Sequence, residues 1–244
     1  MFVKTVVVAG LLALVGVGSA VAGLPPDVRS CAAGQVLPVG DAHTAYAAVA
    51  RKWLASRKEP GGAVIRRFGP RNVNGVPTVL GILGKRVSRT CAATWYRVQL
   101  PIRPNGTTGW VRARDVTVGV VHTRIVVDLS DRTVTLYRYG RRVFGTRAAV
   151  GKSATPTPVG RFYVNQRLLS GDPSGPYGPE AIGVSAYSPV LKNWPQGGPV
   201  AIHGTNEPWL IGSAASNGCL RVPNGMIVRL FRATLAGTPV IIRR

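Results

Sequence analysis

Short runs of alternating apolar residues, cut every few positions by Gly, Pro or Asn, leave this chain little room for long helices. Between Ala63 and Val118 the runs AVIRRF, VPTVLGILG, TWYRVQL and TGWVRARDV are separated by turns, and period-two alternation over four to eight residues is the mark of half-buried strands. The pattern returns after a short link at Gly119 to Thr123: RIVVDLS, a turn at Asp131-Arg132 and TVTLYRYG read as a hairpin, with RRVFGTRAAVG as a third strand. Pro104-Asn105-Gly106 is a hairpin turn in its own right, because Asn-Gly readily adopts positive φ. Asn105 also begins an Asn-x-Thr triplet, which we read as turn chemistry only.

Helical readings are few. Asn224 to Leu235 places Met226, Ile227, Leu230 and Phe231 on one face of an amphipathic helix, and Thr238 to Ile242 then reads as a final buried strand. Near the start, Asp41 is placed to cap a helix carrying Tyr46, Val49, Ala50, Trp53 and Leu54 at helical spacing. A competing reading makes Lys52 to Lys58 a strand that turns at Pro60-Gly61-Gly62 into Ala63 to Phe68, and the residues leave both open. Gly23 to Gly40 is a Pro- and Gly-punctuated leader.

The first residues combine Lys4, an apolar run from Val6 to Val17, and small residues at Ala20 and Ala22, so residues 1–22 are expected to be a cleaved signal peptide. An uncleaved anchor is the alternative, and no later stretch is apolar enough to span a bilayer. The remainder is long enough for two small domains. The expected division is a leader with a first domain over 23–118 and a second domain over 122–244.

The chain has 31 Lys and Arg against 9 Asp and Glu, a net charge of +22, and such a field attracts polyanions. The basic residues are mostly isolated Arg within strand-like segments, and no nucleic-acid module is recognisable. Anionic polymers of a cell envelope are therefore the expected partners, with no nucleic acid. Three cysteines in an exported chain suggest one disulfide and one free thiol. Pairing Cys31 with Cys91 leaves Cys219 reactive, and two buried free thiols are the alternative. His43 and His122 sit in no motif, no Cys, His and carboxylate cluster has metal-ligand spacing, and neither metal nor cofactor is expected.

The candidate chemistry lies in AIHGTNEPWLIGSAASNGCLRV, Ala201 to Val222. A thiol is a useful nucleophile as thiolate, and a neighbouring imidazole can take its proton and return it to a leaving amine. Cys219 and His203 are candidates for that pair. Ser216, Asn217 and Gly218 put a low-bulk backbone before the sulfur, where main-chain N–H groups can face a developing oxyanion. A lone Cys or His is more often structural.

The same residues resemble the signature of the YkuD-type L,D-transpeptidases: His203-Gly204, a spacer, then Ser216, Gly218, Cys219, Leu220 and Arg221. Asn217 stands where many members carry His or Arg. Thr155-Pro156-Thr157-Pro158 with Gly160-Arg161-Phe162 matches a further segment of that family, and WYRVQLPIRPNGTTGWV resembles bacterial SH3-like domains. The resemblance implies a mainly β protein, a small SH3-like barrel followed by a YkuD-type β-sandwich catalytic domain. It implies an exported cysteine acyltransferase acting on peptidoglycan stem peptides. Cys219, His203, Gly204 and Gly218 would be its catalytic residues, and Tyr187, Ser216, Asn217 and Arg221 its substrate-binding ones. Forming 3-3 cross-links, L,D-carboxypeptidase action through the same acyl-enzyme, and non-catalytic wall binding through aromatics such as Trp95, Tyr96 and Trp110 are its three possible activities. LLSGDPSGPYGPEAIGVSAYS, which contains Tyr177 and Tyr187, reads as a long loop over the cleft.

Overall fold

The computed structural model describes residues 31–244, so the expected signal peptide lies outside the described residues. The N-terminal half consists of β1 (Val36–Pro38), β2 (Ala45–Ala50), β3 (Leu54–Arg57), β4 (Val64–Phe68), β5 (Val79–Val87), β6 (Ala93–Gln99), β7 (Thr108–Arg112) and β8 (Val116–Val121). They form one sheet in the order β4-β3-β7-β6-β5-β2-β8, with β1 also on β5. The chain is mainly β, and this hydrogen-bonded path has two ends, β4 and β8, where the sequence suggests a small barrel.

The helix alternative at Asp41 fails for a local reason. The Asp41 carboxylate accepts the His43 and Thr44 N–H groups, each at 2.7 Å, which makes a turn feeding β2 instead of a helix cap. Strand β2 is then paired on both sides, by β5 and β8, with Ala47 and Ala48 buried. Tertiary pairing outweighs the helical spacing. The strand reading of β3 and β4 holds.

The C-terminal half comprises β9 (Thr123–Asp128), β10 (Thr133–Arg138), β11 (Arg141–Arg147), β12 (Val150–Gly151), β13 (Gly160–Leu169), β14 (Glu180–Tyr187), β15 (Pro199–His203), β16 (Ala214–Ser216), β17 (Leu220–Arg221), α1 (Asn224–Ala233) and β18 (Pro239–Arg243). Eight of these strands run β11-β10-β9-β18-β13-β14-β15-β17, while β12 pairs separately with β16. The long strand β13 pairs with β18 at one end and β14 at the other, with its register shifting between Val164 and Gln166. Such a shift bends a strand, and here it turns the sheet into two layers. Ile125, Val134 and Leu136 of one layer and Ile182, Val184 and Ile202 of the other share one buried core. Ile227 and Leu230 of α1 close it.

The expected link at Gly119 to Thr123 is itself strand: β8 ends at Val121 and β9 begins at Thr123. The two halves are joined by a polar seam. The buried Tyr163 hydroxyl shares its proton between the Val79 and Gln99 carbonyls, 3.2 Å each, and the Gln99 amide donates to the Arg161 carbonyl at 2.8 Å. Asn105 clamps Tyr187 in both directions, its amide donating to the Tyr187 carbonyl at 2.8 Å and its oxygen accepting the Tyr187 N–H at 2.9 Å. Asn105 is thus more than turn chemistry. Cys31 and Cys91 form a disulfide, leaving Cys219 as the free cysteine among the described residues.

Candidate active site

Strands β15 and β17 lie side by side and parallel, with Ile202 opposite Leu220 and His203 opposite Arg221. Successive strand side chains face opposite ways. Ile202 and Leu220 therefore enter the core, while His203, Arg221 and the preceding Cys219 line a cleft of about 540 Å³. Residues 16 positions apart in sequence are brought together by the register alone.

His203 is 3% exposed, and its Nδ1 lies 2.6 Å from the Gly204 carbonyl oxygen. A carbonyl only accepts, so Nδ1 carries the proton and Nε2 keeps its lone pair. Burial lowers the imidazole pKa to about 4; the Gly204 bond opposes that shift and the Arg221 charge reinforces it. Burial pushes the Cys219 thiol up, with a hydrogen bond to the Ala201 backbone and the Arg221 charge pulling the other way. Both groups therefore rest neutral at pH 7. The Tyr177 ring lies 4.9 Å from the imidazole, tilted by 60°.

The loop before the sulfur is tied internally. Ser216 Oγ donates to the Cys219 carbonyl at 2.5 Å and accepts the Gly218 N–H at 3.1 Å. The Gly218 N–H, a candidate oxyanion donor, is thus directed at Ser216. Gly218 itself sits at φ +111°, where a side chain would be strained. The proline-rich segment braces the loop from outside: Thr155 Oγ1 and the Lys152 N–H both donate to the Ser216 carbonyl at 3.1 Å. Thr155 Oγ1 also approaches the side-chain oxygen of Asn217, another cleft residue, at 3.4 Å.

Arg221 pairs with the Glu207 carboxylate and exchanges backbone hydrogen bonds with Ala149, so it braces the loop while lining the cleft. Gly204 has a steric role beside its carbonyl. Asn224, at the start of α1, accepts the Thr205 N–H at 2.7 Å, and a Cβ on Gly204 would come within 2.3 Å of that same oxygen.

Two sequence expectations need correction. Tyr187 does not line the cleft: its hydroxyl donates to the Pro101 carbonyl at 2.9 Å and its ring lies beneath Arg103, at the seam between the halves. Tyr177 takes the aromatic position beside His203 instead. The expected long loop over the cleft is also shorter, because AIGVSAY is the body of β14, with Ile182 to Ala186 buried. Only 170–179 remains as loop, closed by the Ser170 N–H donating to the Pro179 carbonyl at 2.9 Å. Asn224, Glu207 and Thr155 were not among the candidates, since each acts by reaching a distant backbone or partner and no local spacing marks it.

Residues 122–242 match the family model for YkuD, the L,D-transpeptidase catalytic domain. YkuD of Bacillus subtilis strain 168, a provisionally named L,D-transpeptidase, is 38% identical over 120 residues, 49% of this chain and 65% of that protein. A protein of the same name from Bacillus licheniformis is 40% identical over 119 residues, 49% of this chain and 64% of its own. The chain thus spans a little under two thirds of these relatives. Among solved structures, a cysteine-to-serine mutant of the Enterococcus faecium L,D-transpeptidase is 27% identical, with 50% of this chain and 49% of that one covered and a TM-score of 0.37. Residues 122–242 are thus similar to L,D-transpeptidase catalytic domains of the YkuD type.

Proposed function

We propose that this protein is an exported peptidoglycan L,D-transpeptidase that makes 3-3 cross-links on tetrapeptide stems through a thioester at Cys219. The observation that carries the reading is the convergence of Cys219 and the Nδ1-anchored His203 on one face of the β15–β17 pair, inside one cleft. Cys219 is the nucleophile. Its sulfur attacks the carbonyl of the third stem residue as its proton passes to His203 Nε2; the peptide C–N bond then breaks, and the same proton goes to the departing D-alanine amine.

A buried neutral pair suits this sequence of events. The thiolate is not preformed in the resting site, so the proton moves only as the sulfur bonds to carbon. The Cys219 N–H is the proposed oxyanion donor, since the Gly218 N–H is held by Ser216. Gly204 positions the imidazole, Tyr177 shields it, and Asn217 and Arg221 border the substrate. An amine from a neighbouring stem resolves the thioester, and each catalytic group returns to its starting protonation state. Incubation with purified tetrapeptide muropeptides, followed by mass analysis, tests the reading. Cross-linked dimers with loss of D-alanine support it, tripeptide product alone makes the enzyme a carboxypeptidase, and unchanged substrate refutes both.

A further inference from the structure

The outer face of the N-terminal sheet has no role in the chemistry above, yet its composition is unusual. Registers place Arg57 beside Trp110 and Trp110 beside Arg97 in one row across β3, β7 and β6. Trp95 lies beside Arg112 in the next. The alternate residues Leu54, Val98 and Val111 belong to the core, so the Arg and Trp side chains share the opposite face. Tyr96, expected with Trp95 and Trp110 as a binding aromatic, packs against the core instead.

At one edge this face forms a depression of about 240 Å³ lined by Trp53, Ala55, Arg57, Arg67, Arg112 and Asp115. The three guanidiniums carry fixed positive charge. The one carboxylate in the lining, Asp115, is held at 3.2 Å by Lys52 from outside it. The Arg57 guanidinium is fixed by donating to the Gly62 carbonyl at 2.6 Å. Trp53 is 73% exposed. With the Asp115 carboxylate already paired to Lys52, the three guanidiniums repel one another, and an arriving anion relieves that repulsion. An exposed indole beside them offers a flat apolar face for a ring.

We propose that this depression is a binding site for an anionic glycan polymer, with a carboxylate or phosphate between Arg57, Arg67 and Arg112 and the attached sugar ring on Trp53. Single-stranded nucleic acid fits less well, because it needs successive open aromatic platforms. The Arg112 guanidinium already covers the Trp95 ring at 5.4 Å, and Trp95 and Trp110 are half-buried, which leaves Trp53 as the open indole of this face. The site is independent of Cys219 and works whether or not the catalytic reading holds.

The test is a titration of the full chain, read by tryptophan fluorescence, with polygalacturonate as the carboxylate polymer and glucosylated poly(glycerol phosphate) as the phosphate polymer. Neutral dextran and oligo(dT) are the comparison probes. At least one anionic glycan should bind, weakening with salt, and whichever binds more tightly identifies the anion. Trp53→Ala and the double variant Arg67→Ala/Arg112→Ala should each weaken binding at least tenfold. Arg141→Ala/Arg142→Ala, on the exposed tip of the β10–β11 hairpin, should leave it within twofold. Arg112 stacks on the Trp95 ring, and unchanged melting temperatures will confirm that each variant folds. No binding to either anionic polymer, equal binding of dextran, tighter binding of oligo(dT), or an equal loss in the hairpin-tip variant overturns the proposal.

Discussion

Lowering the pH probes the buried imidazole directly. His203 moves from an ordinary value of 6.5 to about 4 in the folded protein, while the unfolded chain keeps the ordinary value. Above pH 6.5 both states hold a neutral ring and the residue contributes nothing to the pH dependence. As pH falls, the unfolded state takes up a proton that the folded state refuses, and stability is lost between the two values. The loss amounts to about 2 kcal/mol by pH 5 and about 3 kcal/mol near pH 4, below which both states are protonated and the loss stops growing. Urea denaturation at half-unit steps from pH 7 to 4, on the protein and on His203→Gln, isolates the residue. The variant's curve should fall less steeply by roughly these amounts. Parallel curves would refute the buried neutral imidazole. The same shift moves the acid limb of acylation to near pH 4, well below the ordinary histidine range.

Ser216→Ala removes the one hydroxyl that ties the Gly218 N–H to the Cys219 carbonyl. It should cost about 2 kcal/mol in urea denaturation and slow acylation, whereas a loss under about 0.5 kcal/mol would mean the loop holds itself. Reducing the Cys31–Cys91 disulfide, which joins residues 60 apart, should lower stability by about 4 kcal/mol in the chain-entropy model. Before reduction, a thiol titration under denaturing conditions should find one reactive group. Asn105→Ala breaks both hydrogen bonds to Tyr187. It should cost about 1 kcal/mol and speed hydrogen exchange at the Tyr187 N–H, and unchanged exchange would show that the seam does not depend on Asn105.

Much of the fold was legible where one period dominated. Alternation marked β5 to β7 and β9 to β11, and the i, i+3, i+4 spacing of Ile227 and Leu230 marked α1. Where two periods fit equally, as in Tyr46 to Leu54, pairing of β2 on both edges decided the outcome, and no local pattern contains that information. The sulfur and imidazole were legible as residue types, but their neighbourhood depends on the β15–β17 register. Tyr177 and Tyr187 show the limit: both are aromatic residues of one Gly- and Pro-rich stretch, and only the fold sends one to the imidazole and the other to the seam. Trp53, read as a helix-face residue, stands exposed among arginines because β3 begins just after it.

Covalent capture at Cys219 tests the central claim most directly. The protein and its Cys219→Ala variant are incubated with tetrapeptide stems, and each is analysed by intact mass and peptide mapping. Addition of one acyl group to the unaltered protein, mapped to the peptide containing Cys219 and missing from the folded variant, is the predicted result. An adduct on Ser216 or any other residue, or cross-linking by the Cys219→Ala protein, would contradict it.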